Sequence, residues 1–198
     1  MDFTRSIKTE YGGIEYKSRL EADIAWIIKR MKYEFEYEPI NFLLPSGIHY
    51  WPDFYIPDIH LWIEGRGYQT DKGQKQIEEF SGLIKNGFIM PDKTLSTEPD
   101  FGMDLLPFEE LNKKDAPDYL VIGYESVRLF EYVNRFGCGE TQDTAIVRCT
   151  NCKHWYFIGQ GSFQCRKCGA WDGNGHIDRM EYFEDIGSLK EIFLGVSD

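Results

Sequence analysis

Nowhere in its 198 residues does the chain run apolar for the roughly 20 residues that a membrane-crossing helix needs, so no membrane partner is expected. The first residues, Met1-Asp2-Phe3-Thr4-Arg5, lack the apolar stretch of a secretory signal, and the expected location is the cytoplasm. Positive charge is scarce. Against 33 Asp and Glu stand 22 Lys and Arg, a net charge of −11, which excludes indiscriminate coating of nucleic acid by clustered basic residues. Internal repeats and low-complexity tracts are missing, and no cysteine precedes Cys138. What is present reads as globular: 42% hydrophobic and 16% aromatic residues exclude disorder. The length suffices for one good core and a small satellite module.

The charge is uneven. Residues 1–144 sum to −10 and residues 181–198 to −4, whereas 145–180 carry Arg148, Lys153, Arg166, Lys167 and Arg179 against Asp172 and Asp178, giving +3. This one basic segment also holds four of the five cysteines, Cys149-x2-Cys152 and Cys165-x2-Cys168. Two CxxC knuckles at this spacing present four thiolates tetrahedrally to Zn²⁺. Disulfides do not suit a chain without a secretion signal, and a redox motif does not come as two matched knuckles. The flanks 145–148 and 154–158 read as strands, and with the turn at Gly159-Gln160-Gly161 the segment resembles a zinc ribbon. With all four ligands supplied by thiolates, the site is closed and structural.

Before the ribbon the pattern alternates helix and strand. Leu20, Ile24, Ile27, Ile28 and Met31 fall at three- and four-residue spacings and predict a helix over 15–32, with Ser18 as a candidate cap. Tyr33 to Glu38 alternates aromatic and acid and predicts a strand ended by Pro39. Strands are expected at 40–44 and 48–56, joined at Pro45-Ser46-Gly47, and at 61–66, forming a meander. A helix over 72–85 would bury Ile77, Phe80 and Ile84. Residues 90–117, with four prolines, read as an irregular loop with one helical turn at 108–113; 119–123 read as a buried strand and 125–133 as a helix. Ile186, Leu189, Ile192 and Phe193 predict a short amphipathic helix. The expected division is a core over 1–136, a ribbon over 145–180 and a tail over 181–198.

Two short segments carry the chemistry, Trp51-Pro52-Asp53 and Ile63-Glu64-Gly65-Arg66. With Pro57-Asp58-Ile59-His60 as the loop and Ile56 facing Leu61, partner numbers sum to 117, so Asp53 faces Glu64. Cβ atoms directly opposite lie about 5 Å apart, and like charges there repel. A cation relieves this. Two carboxylates beside the Gly65 carbonyl make a hard oxygen site suited to Mg²⁺ or Mn²⁺, and Arg66, next on that face, is a fixed positive charge for an anionic substrate. Glu21, at the edge of the first helix's apolar face, joins the set. The plainer alternatives stay open: a Glu21 paired with Arg19 or Lys17, and hairpin acids that guard an edge strand.

Pro52-Asp53, a hairpin and Glu64-Gly65-Arg66 resemble the PD-(D/E)xK nuclease motif, and Ser18-Arg19-Leu20-Glu21-Ala22 resembles the leading acidic helix of phage-type members of that superfamily. The likeness covers Tyr16 to about Gly67, and Lys72 to Val133 by element order alone. It implies a restriction-endonuclease-like α/β/α core with a mixed sheet, plus the small β-rich ribbon. It implies Mg²⁺- or Mn²⁺-dependent phosphodiester cleavage, with DNA as the expected partner and a host's cytoplasm as the location for a phage gene. Asp53, Glu64 and the Gly65 carbonyl would hold the metal, with Glu21 completing the shell. The family's usual lysine is Arg66 here. Arginine stays protonated and cannot take a proton from water, but it clamps a phosphate. Lys72 and Lys75 are candidates for a migrated amine or for nucleic-acid contact; ordinary solvated helix charges are the alternative.

For the ribbon, Arg148, Lys153, Arg166 and Lys167 with Trp155, Tyr156, Phe163 and Trp171 suggest phosphate pairing and stacking. Alternatively, the aromatics are the ribbon's own core and the charges a solvated face. Two rival functions stand beside the nuclease: a nuclease-fold binding or regulatory protein that does not cut, and a zinc-ribbon adaptor on a host protein with the acidic surface as a DNA mimic. A homodimer is one route to cutting both strands.

Overall fold

The computed structural model describes residues 6–67, 70–85, 118–123, 128–133, 145–158, 165, 167–170, 177–182 and 194. The expected loop over 90–117, the turn at 108–113, nearly all of the helix at 186–194, Cys138, Phe163, Arg166 and Trp171 lie outside them.

The chain opens with a hairpin absent from the sequence reading. Strands β1 (Thr9–Tyr11) and β2 (Ile14–Tyr16) pair antiparallel with Tyr11 opposite Ile14. The two turn positions between them need positive φ, and Gly12 and Gly13 take +60° and +81°. Helix α1 (Arg19–Arg30) therefore starts later than residue 15, at the cap Ser18, whose side chain accepts from the Glu21 N–H. Its predicted apolar face is buried throughout: Leu20, Ile24, Ile27, Ile28 and Met31.

Strand β3 (Glu36–Tyr37) is shorter than the alternation over 33–38 suggested, and it ends where Glu38 adopts a left-handed φ of +45°. Strands β4 (Phe42–Leu43) and β5 (His49–Tyr50) form a two-stranded sheet of their own. The expected strand over 48–56 is thus two strands, β5 and β6 (Phe54–Ile56), in different sheets. The break falls at Trp51-Pro52-Asp53, where Pro52 has no N–H for a ladder. A 3₁₀ turn at Pro57–Ile59 leads into β7 (Leu61–Arg66). The anticipated register holds: Phe54 pairs with Ile63, Tyr55 with Trp62 and Ile56 with Leu61, each summing to 117.

Helix α2 (Asp71–Lys85) lies in the connection from β7 to β8 (Asp118–Gly123), which pair parallel with Glu64 beside Val121. The next element is a strand, β9 (Arg128–Val133), antiparallel to β8, and not the helix expected over 125–133. Strand β8 offers a ladder to Leu129, Phe130, Tyr132 and Val133, apolar and aromatic residues that suit a strand, and this pairing overrides the helical reading. The sheet order is β3-β6-β7-β8-β9, with the one parallel pair at β7–β8, so this is a mixed sheet in a mixed α/β chain.

Side chains of adjacent strand residues point to opposite faces, and the core divides accordingly. Phe54, Ile56, Leu61, Ile63, Leu120 and Ile122 pack with α1. Trp62 and Tyr119 pack with Ile77 and Phe80 of α2 and with Phe42 and Tyr50 of the β4–β5 hairpin. The two helices thus cover opposite faces of the sheet.

The last three strands are β10 (Ala145–Cys149), β11 (Trp155–Ile158) and β12 (Ile177–Tyr182), in the order β11-β10-β12. The two anticipated strands are present, and β12 adds a third that runs to Tyr182. No helix among the described residues is long and apolar enough to cross a membrane.

Candidate functional site

The acids come first. Asp53 enters β6, Glu64 lies within β7, and both are buried, 9% and 4% exposed. Each carboxylate bonds the backbone of the opposite arm. The Gly65 N–H donates to Asp53 Oδ2 at 2.7 Å, and the Asp53 N–H donates to Glu64 Oε2 at 3.3 Å. The facing arrangement read from the register is therefore an interlock of side chain with backbone. Gly65 permits it: a Cβ there would lie 2.9 Å from Ile24 Cδ1 of α1 and 3.4 Å from Asp53 Oδ2.

Glu64 also receives groups the sequence reading missed. The Tyr50 hydroxyl donates to Oε2 at 2.9 Å and lies 2.8 Å from the Tyr119 hydroxyl of β8. Arg66 Nε sits 2.8 Å from Glu64 Oε1, an ion pair along one strand face, as the two-residue spacing suggested. Its guanidinium also stands 6.0 Å over the Tyr50 ring. The signal for Tyr50 was the alternation of β5, which turns it inward; Tyr119 is 69 residues from Tyr50, and nothing local announces it.

Glu21, in the first turn of α1, is 8% exposed. Its carboxylate accepts from Ser18 Oγ (2.7 Å), the Lys17 N–H (3.1 Å) and the Tyr37 hydroxyl. With the Glu21 N–H donating to Ser18 Oγ at 3.1 Å, Ser18 caps the helix, and the acid reaches back to the N–H of the residue before the cap and to a tyrosine. The alternative pairings resolve elsewhere: Lys17 Nζ goes to Glu38 and Arg19 to Asp23.

The energetics follow from burial. Burial holds the Asp53 carboxyl well above its usual range, and the charges of Glu64 and Glu21 push the same way against the Gly65 N–H and Arg66. Glu64 is pushed up to about 7 by burial, although Arg66, the Tyr50 hydroxyl and the Asp53 N–H all favour its charged form. Burial alone would lower the Arg66 pKa, but Glu64, Tyr50, Tyr119 and Asp53 together outweigh it and hold the guanidinium above its ordinary value. Tyr50 and Tyr119 are driven well above theirs by burial and the Glu64 charge. A second cation would relieve the pair, and two carboxylates with a carbonyl are the oxygen donors a hard divalent ion takes. Among the described residues, however, the one tight group of three or more candidate ligands is the cysteines; Glu21 is not gathered with Asp53 and Glu64 so closely.

The four sulfurs lie within 4.8 Å of one another, with Cys149–Cys168 at 3.6 Å and Cys152–Cys165 at 3.7 Å. Tetrahedral zinc with bonds near 2.3 Å needs sulfurs about 3.8 Å apart, so this tetrad fits a zinc ion. The two knuckles repeat one backbone pattern. The Lys153 N–H donates to Cys149 O and the Gly169 N–H to Cys165 O, both at 2.8 Å. The Cys149 N–H bonds His154 O and the Cys165 N–H bonds Ala170 O. The residue after each knuckle is left-handed, Lys153 at φ +63° and Gly169 at +75°. Burial pushes the Cys152 and Cys165 thiols up. At Cys168 hydrogen bonds outweigh burial and pull the thiol down to about 7, the Asn151 amide foremost at 3.5 Å.

The ribbon's basic and aromatic residues are more engaged than expected. Trp155 is 4% exposed and belongs to the core with α1, so it is neither a nucleic-acid stacking surface nor part of a separate ribbon core. His154 meets the Tyr33 ring at 5.3 Å. Lys167 pairs with Asp58 in the 3₁₀ turn of the acid hairpin. Arg148 stands 5.7 Å over Trp155, and its Nε donates to Lys153 O at 3.4 Å. Lys153 is exposed, as is Lys72 at the start of α2; Lys75 reaches Glu79 at 3.8 Å.

No protein-family model matches the chain, and neither does any curated protein or solved structure.

Proposed function

We propose that this chain is a metal-dependent nuclease on a restriction-endonuclease-like core, with a zinc ribbon as a fixed structural part. The observation that carries the reading is the interlocked Asp53–Glu64 pair, two buried carboxylates on facing strands with one arginine against them. Asp53, Glu64 and the Gly65 carbonyl would hold Mg²⁺ or Mn²⁺. Glu21, committed to Ser18 and Tyr37, would act on that shell at one remove. When bound, the ion would lower the pKa of a water and offset charge on the phosphate. The chain's own groups have distinct tasks. Tyr50 and the Asp53 N–H fix Glu64 Oε2, and the Gly65 N–H fixes Asp53 Oδ2, so both acids are oriented before a cation arrives. Arg66 keeps its proton, so its task is electrostatic: it neutralises Glu64 at rest and binds a phosphate oxygen during cleavage.

The arginine also supports a second reading, a nuclease-fold protein that binds without cutting. Arg66 occupies Glu64 Oε1 and replaces with a fixed charge the cation that the acids otherwise call for. Nicking of supercoiled plasmid in Mg²⁺ or Mn²⁺ separates the two. Under the nuclease reading the wild type nicks, Asp53→Ala does not, and Arg66→Ala slows the reaction roughly a hundredfold. Equal behaviour of wild type and Asp53→Ala removes the catalytic assignment.

A further inference from the structure

Strand β5 alternates. Tyr50 turns inward onto Glu64, so His49 and Trp51 face outward. Trp51 is 46% exposed, although it is the largest apolar side chain available. A lone exposed aromatic is ordinary, but this one is not alone. The His49 ring stacks beside it at 6.0 Å with 28° between planes. The amide of Asn41, the residue before β4, is hydrogen-bonded to His49 Nδ1 at 2.9 Å. The outer face of the β4–β5 hairpin is therefore an indole, an imidazole braced against it, and an amide alongside. The residue between the two rings is Tyr50, over which the Arg66 guanidinium stands, and Trp51 is two residues from Asp53.

We infer that this face is a stacking platform for an unpaired nucleobase, so that the strand presented to Asp53 and Glu64 is single-stranded or has a base extruded. This rests on the nuclease reading for the identity of the neighbouring site. An indole face accepts any base, because every base has a π-face, and Asn41 and His49 supply hydrogen-bonding groups where a base edge would lie. A base inside an intact duplex is stacked on both sides and has no face to offer.

The test uses the full chain with zinc in place and labelled oligonucleotides of one sequence: single-stranded DNA, single-stranded RNA and duplex DNA, in Ca²⁺ to suppress turnover. Fluorescence anisotropy should show Trp51→Ala weakening binding of one or both single strands roughly ten- to hundredfold, with duplex binding unchanged and Trp51→Phe near wild type. Because Trp51 is on the surface, the melting temperature of Trp51→Ala should match the wild type, which separates lost stacking from lost fold. The DNA and RNA arms identify the strand's chemistry. Unchanged single-strand binding in Trp51→Ala, or an equal loss on duplex, overturns the proposal. Parallel cleavage assays in Mn²⁺ keep the two readings apart. Single-strand binding that depends on Trp51 without any cleavage upholds the platform and removes the nuclease. Wild-type cleavage kinetics on single strands in Trp51→Ala do the reverse.

Discussion

The cysteine tetrad and the acid hairpin both crowd groups that carry negative charge, and they are built on opposite principles. Each half of the tetrad is one short knuckle, repeated with the same backbone bonds at Cys149 and Cys165. The acid site draws on α1, β5, β6, β7 and β8, and its members bond one another's side chains and backbones across the sheet. The tetrad has the geometry to leave its charge to a metal ion. The hairpin already carries Arg66, hydroxyls and N–H groups that meet most of Glu64's needs, and burial still lifts both acids. A site made of two local knuckles would depend on its ion; a site assembled from distant elements holds its groups together through its own hydrogen bonds.

That contrast can be broken by experiment. Chelating zinc should have the largest effect, on the order of 10 kcal/mol of ribbon folding energy, seen as loss of the β10–β12 sheet in circular dichroism. If the acid hairpin melts with it, the two regions are one cooperative unit. Trp155→Ala comes next. Removing a buried aromatic shared by β11 and the α1 core should cost about 3–5 kcal/mol in denaturant unfolding, even with zinc saturating. The third test is pH. Glu64 has a folded pKa raised from 4.5 to about 7, so the folded state binds its proton more tightly than the unfolded chain does. Its contribution to stability is complete below about pH 4.5 and is lost as pH rises through 7, by a few kcal/mol. Thermal melts with zinc in place but without Mg²⁺ or Mn²⁺ should show this decline, Glu64→Gln should flatten it, and Mg²⁺ or Mn²⁺ should restore stability at neutral pH in the wild type alone. Lys167→Ala should matter least. Its pair with Asp58 is partly exposed, worth less than about 1 kcal/mol, and a double-mutant cycle with Asp58→Ala would measure it.

What the sequence disclosed follows the same division. The CxxC spacing, the Ser18 cap, the buried face of α1 and the hairpin register were legible because each depends on residues a few positions apart. The Gly12-Gly13 hairpin left a local signal that went unread. Tyr119, Trp155 and strand β9 were not legible, for a different reason. Tyr119 meets Glu64's network only because β8 lies parallel to β7, Trp155 is buried by a helix far upstream, and β9 is a strand because β8 is its neighbour. Their roles are assigned by tertiary partners. The nucleic-acid reading of the ribbon lost Trp155 on these grounds, and Lys167 turned out to grip the hairpin loop.

The parallel pairing of β7 with β8 also sets an order of events. The β6–β7 hairpin closes over a four-residue connection, on a microsecond scale, and brings Asp53 and Glu64 together early. Strand β8 reaches β7 only after the chain from Gly67 to Pro117 has been looped out, a slow, non-local closure. Until then Glu64 remains hydrated and ionised at neutral pH. The strain of burying it is therefore deferred until β8 docks, and a proton or a cation present at that moment would ease that step.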